Sequence, residues 1–262
     1  MNFIVCVKQV PDTTEVEVDR ESGTIIREGV PSILNPFDEF ALNEAIRVKE
    51  KTGGRITVLS MGPPQANEAL RKCLAIGADE AILLTDPAFA GSDTWATSYT
   101  LARAIEKLGK YDLIFCGQQA TDGDTAQVGP ELARQLAIPH VTYVESIEEI
   151  DDGSVICKKE TDGGYQRVRS GLPALLAFIS TPAFEPKIPS IMEVMGAKSK
   201  TLSQWGFDDL EDEDGDYGLD GSPTQVIRVY SPPKRGEGIK IEETPEVAVD
   251  RLIEYLESEG II

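Results

Sequence analysis

The sequence predicts an α/β protein with a doubly wound, mostly parallel β-sheet, extended by antiparallel strands and followed by a C-terminal arm. Two observations support this fold class. In the first half of the chain, apolar strand-like runs and helical segments alternate four times with short connections, which is typical of a parallel sheet covered on both faces. From residue 140 onward, short strand-like runs follow one another with turn sequences between them, which favours added antiparallel strands.

The first half contains the four strand–helix units. Buried strands are predicted from apolar, β-branched runs at Asn2–Lys8, Arg55–Ser60, Glu80–Thr85 and Tyr111–Phe115. Helices are predicted from Asn35 to about Lys51, over about Gln65–Ile76, from Asp93 or Thr94 to about Leu108, and over Glu131–Leu136. Asn35 is a good N-cap, and Pro36 suits the first helical position. Two alternating runs, Val16–Asp19 and Thr24–Arg27, suggest a small hairpin.

The second half is expected to add strands and an appendage. The strand-like runs are Val141–Ile147, Ser154–Glu160, Tyr165–Ser170 and Ala174–Ile179, and we expect them to pair antiparallel. We divide the chain into an α/β domain over residues 1–205, an acidic linker over 206–225 and an arm over 226–262. The acidic run Asp208–Asp216 is typical of a solvated linker. The arm combines a strand candidate at Val226–Tyr230 with an amphipathic helix at Pro245–Leu256, and it packs either on its own core or on another chain.

Composition excludes several classes of function. With 45 acidic and 25 basic residues the formal charge is −20, which disfavours binding to nucleic acid or to an anionic membrane. No run approaches the roughly 20 apolar residues that span a bilayer, so no membrane insertion is expected. The four cysteines form no CxxC pair, which favours buried thiols in a reducing compartment and a cytoplasmic protein. The single histidine, His140, stands apart from any hydrolytic or metal-binding pattern, so no catalytic side chain and no metal site is predicted.

The stretch Cys116–Pro130, CGQQATDGDTAQVGP, is the predicted functional loop. It connects a buried strand to a helix, the arrangement in which backbone N–H groups at a helix N-terminus hold a phosphate. The stretch contains neither Lys nor Arg, so an anion there depends on backbone and small polar groups. In an open α/β sheet, ligands bind beyond the carboxyl ends of the strands. We therefore expect one nucleotide crevice formed by this loop together with Gln9–Thr14, Asn35–Asp38 and Met61-Gly62.

Several roles within the loop stay open at this point. Asp122 and Asp124 either cap turns and the helix start, or bond a ribose hydroxyl or a base edge. Thr125 and Gln127 are better donors to a ligand. Pro130 is either the first position of the following helix or a kink near its start.

Six pieces of sequence occur in an order that indicates a family. They are Val5–Asp12, NPFDEFALNEA, CGQQATDGDTAQVGP, Leu172–Ala174, Ile188–Met192 and Ala197–Lys200. In this order, and over essentially the whole chain, they resemble the beta subunit of electron-transfer flavoproteins. The resemblance implies a Rossmann-like domain that binds an adenine nucleotide. It also implies a heterodimer with an alpha subunit, which holds an FAD that exchanges electrons with dehydrogenases. The C-terminal arm of this chain is then expected to pack on that alpha subunit.

The resemblance leaves two ligands for the beta subunit. Respiratory members hold AMP, whereas electron-bifurcating members hold a second FAD that accepts a hydride from NADH. Respiratory members tend to carry an NQTG-like segment where this chain has Thr125–Gly129, and the spelling DGDTAQVGP resembles the bifurcating and nitrogen-fixation-associated groups. This favours FAD over AMP. One electron then goes to ferredoxin or flavodoxin, and the other goes through the alpha-subunit FAD to an acyl-CoA dehydrogenase-type partner. The alternatives are an AMP-binding simple shuttle and a non-redox nucleotide-binding regulatory protein of the same fold.

The resemblance also transfers site residues by position. The expected nucleotide contacts are Cys6 by its backbone, Asn35, Pro36, Phe37, Asp38, Met61, Asp122, Gly123, Asp124, Thr125, Ala126, Gln127, Val128, Gly129 and Pro130. In that arrangement the pyrophosphate lies on the Thr125–Gly129 backbone. The expected partner-recognition residues are Ile188, Pro189, Ile191 and Met192, with Ile188 standing where the family commonly has Leu.

Overall fold

The computed structural model describes residues 1–12, 31–181, 184–210, 212, 215–227 and 238–262. The chain divides into two compact units, Met1–Ile227 and Arg228–Ile262. The hairpin expected over residues 16–27 lies outside the described residues.

Eleven strands and six α-helices are present in the described chain. The strands are β1 (Asn2–Cys6), β2 (Gln9–Pro11), β3 (Ser32–Leu34), β4 (Arg55–Met61), β5 (Glu80–Leu84), β6 (Leu113–Gly117), β7 (His140–Ile150), β8 (Ser154–Thr161), β9 (Gly164–Gly171), β10 (Ala174–Phe178) and β11 (Leu202–Trp205). The helices are α1 (Pro36–Thr52), α2 (Asn67–Ile76), α3 (Thr94–Leu108), α4 (Val128–Gln135), α5 (Ile191–Ala197) and α6 (Pro245–Ser258).

Nine of these strands form one sheet in the order β11-β5-β4-β1-β6-β10-β7-β8-β9. The pairs from β11 to β7 are parallel, whereas β7, β8 and β9 pair antiparallel. The predicted α/β class and its mostly parallel, doubly wound sheet with an antiparallel extension are confirmed. Chain order reverses on the two sides of β1, since β4 and β5 lie on one side and β6 lies on the other.

Helices cover the two faces of the sheet because neighbouring strand residues point in opposite directions. On one face, Val5 and Val58 belong to a buried cluster with Leu42 of α1 and Leu70 of α2. On the other, residues such as Ile4 and Ile114 belong to a second cluster with Leu101 of α3 and Leu132 of α4. The sheet is therefore packed between a layer with α1 and α2 and a layer with α3 and α4, and the loops at the carboxyl ends of its strands emerge between these layers.

The expectation of antiparallel pairing was wrong for Ala174–Ile179. β10 is inserted between β6 and β7 and runs parallel to both, with Leu175 opposite Ile114 and Leu176 opposite Val141. All five residues of β10 are buried. An uninterrupted apolar run of this kind suits a central parallel strand with both faces covered. Among the described strands, the antiparallel extension of the sheet therefore consists of β7, β8 and β9.

The strand β11 was not predicted. It pairs parallel with β5, placing Leu202 opposite Ala81 at one edge of the sheet. An edge strand is covered less completely than a central one and so needs no apolar run. The mixed sequence LSQW therefore gave no strand signal.

The acidic segment also differs from the solvated linker that we expected over 206–225. The described residues of 206–225 fall within the first compact unit, and a 3-10 turn covers Phe207–Leu210. Leu210 and Tyr217 are buried, and the Tyr217 ring packs against Phe89 and Tyr99. Burial of these two side chains attaches the segment to the core, while the exposed carboxylates around them stay hydrated.

The second unit is described over residues 238–262 and contains α6, which confirms the predicted C-terminal helix. None of the α6 residues, all of which the structure describes, is buried. Of the strand candidate Val226–Tyr230, residues 226 and 227 are in no strand, and the rest lies outside the described residues.

Candidate functional site

A crevice opens where β1 and β6 part. Cys6 of β1 lies opposite Cys116 of β6, and this is the last position at which the two strands pair with each other. Beyond them, Val7 N donates to Leu59 O of β4 at 2.9 Å, while Gln118 N donates to Phe178 O of β10 at 2.8 Å. Beyond Cys6 and Cys116, the two segments therefore bond to different neighbouring strands, at the point where the strand order reverses. Ligands of doubly wound folds bind at such a point.

The carboxylate of Asp38, in the first turn of α1, spans this opening. Its Oδ2 accepts from Lys8 N at 2.7 Å, and its Oδ1 accepts from Gly117 N at 3.0 Å. Asp38 is buried, with 6% of its surface exposed. Burial raises the pKa of this carboxyl to about 7, although the two amides, the Asn35 side chain and the charge of Lys8 act in the opposite direction.

Gly117 is required by this approach. A Cβ at this position would overlap the Asp38 carboxylate and would lie 2.7 Å from Phe37 Cβ. The last residue of β6 therefore has to be glycine for the N-terminus of α1 to pack against it.

Asn35 is the N-cap of α1, as predicted, but its side chain makes no capping hydrogen bond to the helix. Instead its Nδ2 donates to Gln119 O at 2.9 Å, and its Oδ1 accepts from Thr121 N at 3.2 Å. Asn35 has no exposed surface. A buried side-chain amide needs hydrogen-bond partners, because leaving its polar atoms unpaired would cost free energy. The partners of Asn35 belong to the loop after β6.

Lys8, just beyond β1, brings a positive charge to the loop. Its Nζ lies 2.7 Å from Asp122 Oδ1, and the Asp122 side chain is 7% exposed. Asp122 is therefore engaged in an ion pair, an arrangement outside the turn-capping and ribose alternatives that we considered. Lys8 was not among the predicted site residues, because the loop sequence alone cannot show a partner 114 positions away.

The middle of the loop has an unusual backbone. Asp124 and Ala126 adopt left-handed conformations with φ of 51° and 54°, and Gln127 follows with φ −102° and ψ −33°. Left-handed and right-handed residues in succession turn neighbouring N–H groups towards one concave side, which is a recurrent anion site. Within the part of the chain that the structure describes, the backbone N–H groups of Thr125, Ala126, Gln127 and Val128 donate to no protein acceptor.

The helix α4 begins at Val128, so Pro130 is its third residue and sits within the first turn, where its missing N–H is tolerated. Gly129 is buried, and a Cβ there would lie 3.0 Å from Cys116 Sγ. Gly123, by contrast, faces open space, because a Cβ at that position would have none of the described atoms within 4 Å.

Two further residues frame the loop. Thr94, at the start of α3, places its Oγ1 3.2 Å from both Gln127 Oε1 and Glu131 Oε1. Burial raises the pKa of Glu131. Neither Thr94 nor Glu131 was a predicted site residue. Thr94 reaches the loop through the packing of α3 against α4, whereas Glu131 directly follows the loop in sequence.

Cys6 and Met61 lie at the same edge but not within the bonded set. Cys6 is 7% exposed, and burial, followed by the nearby Asp38 charge, raises the pKa of its thiol to about 12. Burial likewise raises the pKa of Cys116 well above its ordinary value. These thiols remain protonated near neutrality and are poor nucleophiles. Met61 packs against the second core cluster, and within the described chain no hydrogen bond ties it to the loop.

The predicted recognition residues lie on a separate surface. Ile188 is 87% exposed, Ile191 80% and Met192 83%, whereas Pro189 is partly covered. Ser190 caps α5: its hydroxyl accepts from Glu193 N at 3.3 Å, and the Glu193 carboxylate accepts from Ser190 N at 2.8 Å.

The exposed apolar surface continues along α5 beyond the predicted residues. Val194 is 44% exposed and Met195 66%, while Ala197 is buried against the core. Arg71 of α2 donates to the carbonyl of Ala197 at 3.0 Å, which anchors the C-terminal end of α5.

The described residues offer neither a metal-binding cluster nor a membrane-spanning helix. They contain no group of three or more His, Cys, Asp or Glu side chains arranged to hold a metal ion. None of the helices in the described ranges is long and apolar enough to cross a membrane.

Comparison with known proteins gives consistent matches over the chain. A family model described as "Electron transfer flavoprotein domain" matches residues 22–210. The chain is 48% identical over 262 residues to the electron transfer flavoprotein subunit beta of Clostridium acetobutylicum, with both chains covered in full. It is 48% identical over 265 residues to the caffeyl-CoA reductase-Etf complex subunit CarD of Acetobacterium woodii, again with both covered in full. Over 268 residues it is 39% identical to the acryloyl-CoA reductase electron transfer subunit gamma of Anaerotignum propionicum, with full coverage of both.

Proposed function

This chain belongs to the electron transfer flavoprotein family, as a beta subunit, and from that premise we propose that its crevice binds FAD and serves flavin-based electron bifurcation. In this function NADH is the electron donor. One electron passes to a low-potential acceptor such as ferredoxin or flavodoxin. The other passes through the FAD of an alpha subunit to an acyl-CoA dehydrogenase-type partner.

The observation that most supports a nucleotide in the crevice is the row of N–H groups at Thr125–Val128, at the start of α4, which have no acceptor among the described residues. Four donors that face no acceptor in the described chain fit the oxygens of a pyrophosphate. The left-handed Ala126 supports the same interpretation, because a strained non-glycine residue is retained where the surrounding structure needs its geometry.

The chain's own residues bind and orient the nucleotide. The backbone of Thr125–Gly129 would hold the pyrophosphate, and the Asn35 and Lys8 side chains fix the loop that presents it. When bound, FAD would supply the redox chemistry by accepting a hydride and releasing its two electrons singly. The protein positions the flavin and tunes its surroundings, and it needs no catalytic side chain of its own.

The choice of FAD over AMP rests on the DGDTAQVGP spelling of the loop and on two relatives whose names place them with CoA-ester reductases. The family membership favours electron transfer over a non-redox regulatory protein of the same fold.

The partner dehydrogenase is proposed to dock on the surface formed by Ile188, Ile191, Met192 and Met195. Four apolar side chains, each at least 66% exposed, form a patch of the kind that marks a protein–protein contact. Methionine suits such a surface because its flexible thioether adapts to differently shaped partners.

The test is to purify the heterodimer with its alpha subunit and to count its nucleotides. Two flavins per pair, with bleaching of flavin absorbance when NADH is added without oxygen, are expected. One flavin plus one AMP would replace the bifurcating function with that of a simple shuttle. A colourless homodimer that needs no alpha chain would exclude an electron-transfer role.

A further inference from the structure

The separation of β1 and β6 leaves two backbone donors facing each other. Successive residues of a strand direct their N–H groups to opposite sides. Because Val7 N bonds towards β4, Lys8 N points towards β6, and because Gln118 N bonds towards β10, Gly117 N points towards β1. Lys8 N would form the next bond between β1 and β6, and Gly117 N lies beside their last paired position, Cys6 opposite Cys116. Both N–H groups donate to the carboxylate of Asp38.

From this geometry we propose that Asp38 is a positioning residue that keeps β1 and β6 apart and so shapes the nucleotide crevice. The inference rests on the proposed function of that crevice, but it changes the role expected for Asp38. Asp38 was expected among the nucleotide contacts, whereas both of its carboxylate oxygens are engaged by protein amides. With 6% of its surface exposed and with Phe37 and Gly117 packed beside it, the carboxylate does not face the ligand.

The Asp38 carboxylate acts on the loop through its neighbours. Asp38 holds the amide of Lys8, whose ammonium group pairs with Asp122, and the amide of Gly117, from which the loop departs. Asn35, three residues before Asp38, binds the same loop at Gln119 and Thr121. A change at Asp38 therefore affects the position of the loop at two points, at Gly117 where the loop begins and at Asp122 through Lys8.

The charged and titratable groups around Asp38 come from three elements. Lys8 follows β1, Cys6 and Cys116 are in β1 and β6, and Cys73 is in α2. Burial raises the pKa of each of the three thiols, so they carry no charge near neutrality. Burial raises the pKa of the Asp38 carboxyl to about 7. Its ability to accept two N–H groups therefore changes with its protonation, within the physiological pH range. Once protonated, its hydroxyl oxygen would present a proton to one of the amides.

The first test is Asp38→Asn in the heterodimer, with the affinity for added FAD measured after removal of bound nucleotide. Asparagine keeps the size but turns an N–H₂ group towards one of the two amides. We expect binding at pH 8 to weaken about tenfold, the effect of one lost hydrogen bond to a charged group. If Asp38 acted only through its negative charge on a phosphate, the variant would bind FAD more tightly.

The matched control is Glu44→Gln. Glu44 is also in α1 and also buried, and it accepts from Ile147 N at 2.7 Å, far from the loop. This change is expected to lower the melting temperature while leaving FAD affinity unaltered.

The second test is the pH dependence of FAD affinity between pH 6 and 8, where the FAD pyrophosphate does not titrate. Wild-type affinity should weaken as the pH falls through about 7, and the Asp38→Asn profile should be flat. Equal affinity and parallel profiles for the two proteins would overturn the inference. If Asp38→Asn does not fold, the wild type alone decides. An FAD affinity that does not change with pH would overturn the inference, and an affinity that weakens as the pH falls through about 7 would support it. A wild-type heterodimer that binds neither FAD nor AMP would overturn the proposed function itself, a result distinct from all of these.

Discussion

Lys8 Nζ and Asp122 Oδ1 lie 2.7 Å apart and join the exit of β1 to the loop after β6. The Asp122 side chain is buried, whereas Lys8 remains 43% exposed. The pair therefore fixes the loop from the solvent side of the crevice, and Asp38 and Asn35 fix it from the protein side.

Lys8→Met should loosen the loop. The change leaves Asp122 buried without its cation, and solvent around Lys8 limits the cost to roughly 1–2 kcal/mol of unfolding free energy. FAD affinity should fall, as measured by titration of the flavin-free heterodimer. Lys159→Met, which removes a lysine from the β8 strand, is the control and should leave the affinity unchanged. Equal affinities in all three proteins would show that the ion pair does not organise the site.

Ala126 tests the backbone conformation of the loop. Ala126→Gly should retain or improve stability, because glycine adopts a φ of 54° without strain. Ala126→Val should lower the unfolding free energy by about 1–2 kcal/mol and weaken FAD binding, because a β-branched residue resists the left-handed region. Chemical denaturation and flavin titration of the two variants provide the measurements. If valine were tolerated as well as glycine, the strained conformation would not be needed for binding.

Gly117 tests the close approach of α1 to β6. Gly117→Ala should destabilise the protein by about 1–3 kcal/mol, because its methyl group overlaps the Asp38 carboxylate and Phe37. Gly123→Ala is the matched control in the same loop, since its methyl group would meet no described atom within 4 Å. Urea unfolding measures both. Equal destabilisation would contradict the packing described at Gly117.

The exposed surface of α5 can be tested apart from the nucleotide. Replacing Ile188 and Met192 with Ala should raise the KM for the partner dehydrogenase about tenfold, because apolar anchors dominate docking energies. Flavin content and melting temperature should not change, because the side chains are 87% and 83% exposed. Ile227→Ala, at a residue 93% exposed elsewhere, is the control. An unchanged KM would place the docking surface elsewhere.

Asp38 also predicts a pH dependence of stability. Burial raises its pKa from 3.8 to about 7, so folding takes up a proton between these values. The stabilisation is fully present below pH 3.8 and is lost as the pH rises through about 7. The stability of the wild type relative to Asp38→Asn should therefore decline between pH 5 and 8, which urea unfolding at several pH values would measure. A constant difference would contradict the raised pKa. With the raised pKa, the ionised carboxylate organises the crevice at a cost in stability, as functional groups commonly do.

Local chemistry in the sequence determined most of the element boundaries. Asp93 caps α3 by accepting from Ala96 N at 3.1 Å, and Gly53 ends α1 with a positive φ of 71°, as their residue types predict. Strand–helix alternation was enough to identify the parallel sheet. It also placed the polar loop beyond β6, because parallel strands joined by helices expose their exit loops at one edge.

The tertiary structure alone decided which groups those loops bring together. No local preference distinguishes an Asn35 that caps a helix from one that binds Gln119 and Thr121, because both uses suit the same side chain. The parallel insertion of β10, the Lys8–Asp122 pair and the bridge made by Asp38 all join residues far apart in the chain. Such contacts depend on strand order and on buried groups that need partners, and these are properties of the assembled fold rather than of any single segment.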